Sequence, residues 1–306
     1  MGTRAGTFGE VEVAESGTRE GQLTHRGHSV WWGAVGTGTR GSVPLLTVHG
    51  GPGICHDCLE PLAGLAADRE VVFYDQFGCG HSDRAEEPSE YTIELFVDEL
   101  AAVRATLGLD RVHLYAHSYG GPLALEYLLS QPEGVLSLTI SNSFASVPAL
   151  AAGWQQRLDE LPTHAAQALR KPSADPDEYG AALGEFLTRF VLPFPPAEPL
   201  IRSQANSGAE VYQRMHGSSW FVPDGQWSRW DATERLAELN LPTMVIGGRR
   251  DQCVPALAEA IAAGIPNAEL VILDSAHLPF YEVPDQYLPL LAGFMTRVET
   301  SSQHTP

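Results

Sequence analysis

The sequence predicts an α/β fold, a doubly wound and mostly parallel sheet with an inserted helical cap. Three observations predict it. Short, nearly continuous apolar runs recur along the chain, as strands buried on both faces require. Segments of helical periodicity separate most of them. The alternation lapses once, between about residues 147 and 230, where Ala-rich helical stretches, the Pro-rich V-L-P-F-P-P-A-E-P and several aromatics replace strand signals before the pattern resumes.

Two early segments, about 8–13 and 23–32, read as an antiparallel edge. Buried strands are then expected at 45–48, 71–74, 112–116, 138–140, 244–246 and 270–273. The clearest helix covers about 93–107, where Ile93, Phe96, Val97, Leu100, Val103 and Leu107 follow one another at steps of 3, 1, 3, 3 and 4 and Gly108 can close the last turn. Further helices are expected over 122–129, about 255–263 and about 287–298. The chain divides on this reading into a core of residues 1–146 and 231–306 and a helical cap of residues 147–230. The ends, 1–6 and 300–306, read as frayed.

At 306 residues, 43% hydrophobic and 19% charged, the chain can bury a substantial core. A formal charge of −19 argues against nucleic acid and against an anionic membrane surface, both of which need a clustered basic footprint. The expected partner is a small molecule or a short peptide, and no signal for oligomeric state is present. No stretch reaches the roughly 18 apolar residues of a membrane span, and no basic start leads into an apolar segment, so the protein reads as cytoplasmic. Four cysteines in a chain of this length make no disulfide framework, which suits a reducing compartment. Cys55-His56-Asp57-Cys58 has C-x-x-C spacing but no second ligand pair, so it reads as packing cysteines and no metal is expected. Gly36-Thr37-Gly38-Thr39-Arg40-Gly41 matches G-x-G-x-x-G letter for letter, yet it precedes a strand instead of opening a helix and reads as a hairpin loop.

The stretch L-Y-A-H-S-Y-G-G ends a buried strand and opens a helix, with Ser118 at the corner. A strand, a sharp turn bearing a serine and a helix make a nucleophile elbow, in which small residues two before and two after the serine let the elements approach. Those positions are Ala116 and Gly120, the first one methyl larger than in G-x-S-x-G. A helix N-cap serine is the plainer alternative. An acid and a histidine at the ends of later strands favour the elbow: Asp251 in G-G-R-R-D-Q, and His277 in D-S-A-H. His277 would take the Ser118 proton, and Asp251 would hold the imidazole in the required tautomer. Asp274 is a rival acid, but it lies too close to His277 in the chain to orient it from across a pocket. The glycine-rich V-H-G-G-P-G at residues 48–53 can present a backbone N–H to an oxyanion, from Gly51 or its neighbour Gly50, with Tyr119 supplying a second.

Taken in order, H-G-G-P-G, F-Y-D-Q-F-G-C-G-H-S, H-S-Y-G-G, S-N-S-F-A-S-V-P and V-Y-Q-R-M-H-G resemble the proline iminopeptidase family of α/β hydrolases, most of all the branch containing the tricorn-associated aminopeptidases. The resemblance runs from about residue 10 to residue 295. It implies the α/β-hydrolase fold, a triad of Ser118, Asp251 and His277 under a helical cap, and cleavage of an amide after an N-terminal residue with no metal and no cofactor. Two departures bear on substrate. Family members hold the substrate ammonium with one acid in the cap and one beside the triad aspartate, and those positions are here Trp220 and Gln252. Tyr212 remains in place, and Glu178, Glu185, Glu198 or Glu210 could supply a substitute anion or simply be solvated. A hydrophobic aminoacylated or acylated small molecule is the expected substrate. An esterase or lactonase, or a ligand-binding protein of the same fold, are the competing readings.

Overall fold

The computed structural model describes residues 12–13, 17–37, 42–171 and 175–302. Its strands are β1 (Glu12–Val13), β2 (Thr18–His25), β3 (His28–Val35), β4 (Leu45–Val48), β5 (Val71–Tyr74), β6 (Val112–His117), β7 (Val135–Ser141), β8 (Thr243–Gly248) and β9 (Glu269–Leu273). They form one sheet in the order β1-β2-β3-β5-β4-β6-β7-β8-β9. The first three strands are antiparallel to their neighbours, and from β5 to β9 every pairing is parallel. The strands expected at 45–48 and 71–74 are found with those limits.

One expectation is corrected at the antiparallel edge. Residues 23–32 do not form one strand; β2 and β3 pair across a two-residue turn at Arg26 and Gly27, whose φ angles of 49° and 92° suit the hairpin twist. Most of the segment 8–13 and residues 38–41 of the G-x-G-x-x-G match lie outside the described residues.

The helices are α1 (Ile93–Thr106), α2 (Gly120–Leu129), α3 (Val147–Asp159), α4 (Thr163–Arg170), α5 (Pro176–Phe190), α6 (Glu198–Ala205), α7 (Ala209–Met215), α8 (Pro255–Gly264), α9 (Pro279–Glu282) and α10 (Pro284–Ser302). Helix α1 begins at Thr92, whose hydroxyl accepts from the Leu95 N–H, and Gly108 follows its end at a φ of 63°.

Alternate residues of the parallel strands feed two apolar cores, because side chains project from opposite faces at every second position. Leu46, Val48, Leu114, Ala116, Leu138 and Ile140 pack with α1, α2 and α8 on one face. Leu45, Tyr115, Met244 and Ile246 pack on the other face with α10 and the 3-10 segment His56–Leu65.

Helices α3 to α7 all lie between β7 and β8 in the chain. The outgoing and returning segments are tied side by side at their root. Val147 N–H donates to the Trp230 carbonyl at 2.9 Å, Ala232 N–H to the Ala145 carbonyl at 2.8 Å, and the Ser146 hydroxyl to Asp231 Oδ2 at 2.8 Å.

Candidate active site

Parallel register gathers the chemistry at one edge of the sheet. Val48 pairs with Ala116, His117 with Ser141, Ser141 with Ile246 and Gly248 with Leu273, so β4, β6, β7, β8 and β9 all stop in line. The loops that leave those ends carry Gly50 and Gly51, Ser118, Asn142, Asp251 and His277. A crevice beyond the carboxyl ends of parallel strands is where doubly wound sheets bind their ligands.

Ser118 has a φ of 53°, a left-handed conformation costly for a residue with a Cβ and held here by its surroundings. Its N–H donates to the Ser141 carbonyl at 3.0 Å, while its own carbonyl accepts from Gly121 N–H and the Ser143 hydroxyl. The elbow can be this tight because position 120 is glycine: a Cβ there would collide with the backbone carbonyls of Val48 and His49.

The three predicted residues converge. The Nδ1–H of His277 donates to Asp251 Oδ1 at 2.7 Å, which leaves Nε2 to accept from the Ser118 hydroxyl at 2.9 Å. Asp251 is fully buried, and its Oδ1 also accepts from Cys253 N–H at 2.9 Å. Asp274 points to solvent, its side chain 81% exposed and paired with Arg250. The arrangement can draw a proton from a hydroxyl, store it on an imidazole and return it to a leaving group.

Side chains that residue patterns did not single out brace this relay. Asn142 Nδ2 donates to Asp251 Oδ2 at 2.8 Å and to the Ala276 carbonyl at 3.1 Å, gripping the acid and the residue before His277 together. Its Oδ1 accepts from the Ser141 hydroxyl, which accepts in turn from Tyr287. His117 Nε2–H donates to the His277 carbonyl at 3.0 Å, and burial lowers its pKa to about 3, so it serves as a neutral strut. From α3, Arg157 donates to the carbonyls of Asp251 and Arg249 at 2.7 and 2.8 Å. An Asn after a strand looks like any turn residue, and a helical Arg looks like any surface charge; only tertiary contact gives them these tasks.

Opposite the elbow, His49 fixes the glycine turn. Its Nε2 accepts from Gln76 N–H at 3.0 Å, so its Nδ1–H donates to the Gly50 carbonyl at 3.0 Å, and burial lowers its pKa to about 4. A Cβ on Gly50 would stand 2.9 Å from the Ser118 Cβ. Gly51 and Tyr119 both line the cavity with Ser118, and among the described residues neither backbone N–H has a hydrogen-bond partner.

The cavity over Ser118 has a volume of about 680 Å³. Leu150, Leu187, Val191, Leu192 and Leu200 from the helical insert make much of its wall, and Tyr212, Trp220 and Gln252 also line it. Among the described residues no Asp, Glu, Lys or Arg lines it. Trp220 is half-buried and donates its indole N–H to Gln252 Oε1 at 3.1 Å. Glu178, Glu185, Glu198 and Glu210 are all exposed and do not line the cavity, so none replaces an acid there; Glu198 instead pairs with Arg202.

Among the described residues three groups of side chains have metal-ligand spacing: His49, Asp75 and Cys79; Asp251, Cys253 and His277; His56, Asp57 and Glu60. Their donor atoms are largely committed within the protein. Both His49 nitrogens are engaged, His56 Nδ1 pairs with Asp75 at 2.8 Å, and Asp57 and Glu60 bind Arg202. The four cysteines are free and buried, and burial pushes the Cys55 thiol up to about 12.

Residues 43–284 match the alpha/beta hydrolase fold family. A proline iminopeptidase of Heyndrickxia coagulans is 34% identical over 266 residues, covering 84% of this chain and 92% of the relative. One from Clostridioides difficile (strain 630) is 30% identical over 285 residues, covering 90% and 97%. The crystal structure of proline iminopeptidase from Mycobacterium smegmatis superposes with a TM-score of 0.87 at 29% identity, covering 92% of this chain and 99% of its own. No helix among the described residues is long and apolar enough to cross a membrane. Similarity over nearly the whole length, joined to a serine elbow at the expected edge of the sheet, leads to one conclusion: this chain belongs to the proline iminopeptidase family of α/β hydrolases and is a serine hydrolase.

Proposed function

We propose that this hydrolase cleaves an amide bond through an acyl-enzyme on Ser118, in the manner of an aminopeptidase or amino-acid amidase, on a hydrophobic aminoacylated small molecule. The observation that carries the reading is the relay from Ser118 Oγ to His277 Nε2 at 2.9 Å and from His277 Nδ1 to Asp251 at 2.7 Å. Ser118 Oγ attacks the carbonyl carbon as its proton passes to His277. The oxyanion is received by the N–H groups of Gly51 and Tyr119, each such donor worth about 3–4 kcal/mol of barrier. His277 then protonates the departing amine, which an amide needs because its leaving group is poor. Water, deprotonated by the same imidazole, releases the acyl group. The relatives named proline iminopeptidase support the amide, and the apolar wall supports a substrate greasier than a small peptide.

In this reading residues 147–230 act as a cap that shapes the substrate cavity, a division supported by the paired root at Ala145–Ala232 and Val147–Trp230. Four unpaired buried thiols support residence in a reducing compartment such as the cytoplasm.

A fluorophosphonate probe tests the reaction class. It should modify Ser118 and no longer label the Ser118→Ala protein. Aminoacyl arylamides should release arylamine. Labelling elsewhere overturns the nucleophile, and turnover of simple esters with arylamides untouched replaces the amidase by an esterase.

A further inference from the structure

The side-chain amide of Gln252 has a defined orientation. An indole N–H can only donate, and that of Trp220 reaches Gln252 Oε1, so the oxygen end of the amide faces the indole and the Nε2 end, with its two N–H donors, faces elsewhere. Both partners are anchored: Gln252 N–H donates to the Phe190 carbonyl at 3.0 Å, and the Trp220 carbonyl accepts from His216 Nε2 at 3.1 Å. Among the described residues no acceptor takes the Gln252 Nε2 hydrogens, yet that atom is not sealed away, and Gln252 lines the cavity with Ser118 and His277.

At the free end of the Gln252 amide a substrate cation meets two N–H donors, while Oε1 is engaged by the indole. No carboxylate lines the cavity among the described residues, and Asp251, next along the chain, has Oδ1 taken by His277 and Cys253 and Oδ2 taken by Asn142. A desolvated ammonium with no acceptor is strongly disfavoured. Two free N–H donors suit a carbonyl, a hydroxyl or an amine that has lost its proton.

Resting on the amidase reading, in which the amine sits on the α carbon of the acyl residue, we propose that the Trp220–Gln252 pair forms a subsite for a neutral hydrogen-bond acceptor. An α-amino acyl substrate then binds with its amine uncharged, and an α-hydroxy acyl analogue binds equally well at any pH.

L-Alanyl anilide and L-lactoyl anilide differ in that one group. Their kcat/KM ratio at each pH cancels the titration of the enzyme's own relay. At pH 6 the lactoyl compound should be favoured by at least about tenfold, and the gap should close as pH passes about 8, where an α-amino group loses its proton. Trp220→Phe keeps a smaller aromatic ring and removes the indole N–H, freeing the amide to present its oxygen; the preference should shrink to roughly threefold or less. Gln252→Glu should reverse it. A wild-type preference for the alanyl compound at pH 6, or a ratio that neither variant moves, overturns the proposal.

If neither anilide turns over, the same comparison is read from how well each protects Ser118 against fluorophosphonate, which requires binding only. Equal protection, or none from either, also overturns it. Absence of wild-type labelling at Ser118 refutes the nucleophile instead, so the two failures stay separate.

Discussion

Asn142 holds Asp251 from behind: its Nδ2 lies 2.8 Å from Asp251 Oδ2, on the carboxylate oxygen that His277 does not use. A carboxylate deprived of that donor attracts an imidazolium more strongly, and the Ala276 carbonyl loses its tie to the same amide. Asn142→Ala is therefore expected to lower kcat roughly 10- to 100-fold with little change in KM, and to move the acid limb of the kcat/KM profile to higher pH. A drop in thermal stability with an unchanged pH profile would show that Asn142 only supports the loop.

The relay predicts unequal losses. Ser118→Ala and His277→Ala should each reduce kcat by roughly a million-fold, while Asp251→Asn should cost less, on the order of 10⁴-fold. Combining Ser118→Ala with His277→Ala should add almost nothing, because the pair acts as a unit. Steady-state turnover of an aminoacyl arylamide measures all four proteins, and a loss under tenfold for Ser118→Ala rules this nucleophile out.

Gly120 and Gly180 should respond oppositely to alanine. At Gly120 the added methyl meets the carbonyls of Val48 and His49, backbone that cannot give way, and the expected destabilisation is about 3 kcal/mol. At Gly180, inside α5 with open space around it, alanine should stabilise by roughly 0.5–1 kcal/mol through helix propensity alone. Denaturant titration distinguishes the two.

Glu99 makes stability depend on pH. It is fully buried, Oε2 accepts from Phe77 N–H at 3.0 Å, Oε1 has no partner among the described residues, and burial pushes its pKa up to about 8. A raised carboxyl pKa means that the folded state keeps a proton the unfolded chain gives up. The Glu99 contribution to stability is therefore greatest below about 4.5, falls as pH climbs to about 8 and is flat beyond. Glu99→Gln, neutral at every pH, should gain roughly 5 °C in Tm over wild type at pH 8 and nothing at pH 4.5. Equal shifts at the two pH values would show that the carboxyl is already charged in the native protein.

The convergence of Ser118, Asp251 and His277 was legible because each comes a few residues after an apolar run that reads as a strand, and parallel strands that end in register must deliver the loops that follow to one place, although the last of these runs, β9, is not buried and leaves Leu270 exposed. The hairpin at Arg26–Gly27 was not, since its turn lacks the Asn-Gly or Asp-Gly pair that announces a two-residue connection and Gly27 stands there without one. Nor could the acids between β7 and β8 be placed: an amphipathic helix declares that it has a buried face without saying whether that face meets a core or a cavity. Glu185 and Glu198 sit on the exposed sides of α5 and α6, while Leu187 and Leu200, two residues along in each case, line the cavity. Trp220 and Gln252 were found from the resemblance, but their mutual hydrogen bond needed coordinates.

The two stretches of chain that leave and rejoin the sheet at Ala145–Val147 and Trp230–Ala232 are stitched to each other at the very start of α3. The gap the scaffold has to bridge is thus closed independently of whatever is strung between its edges. Insertions and deletions beyond α3 can therefore lengthen or shorten the excursion without parting its two ends, so long as Arg157, which holds the Asp251 and Arg249 carbonyls, is kept.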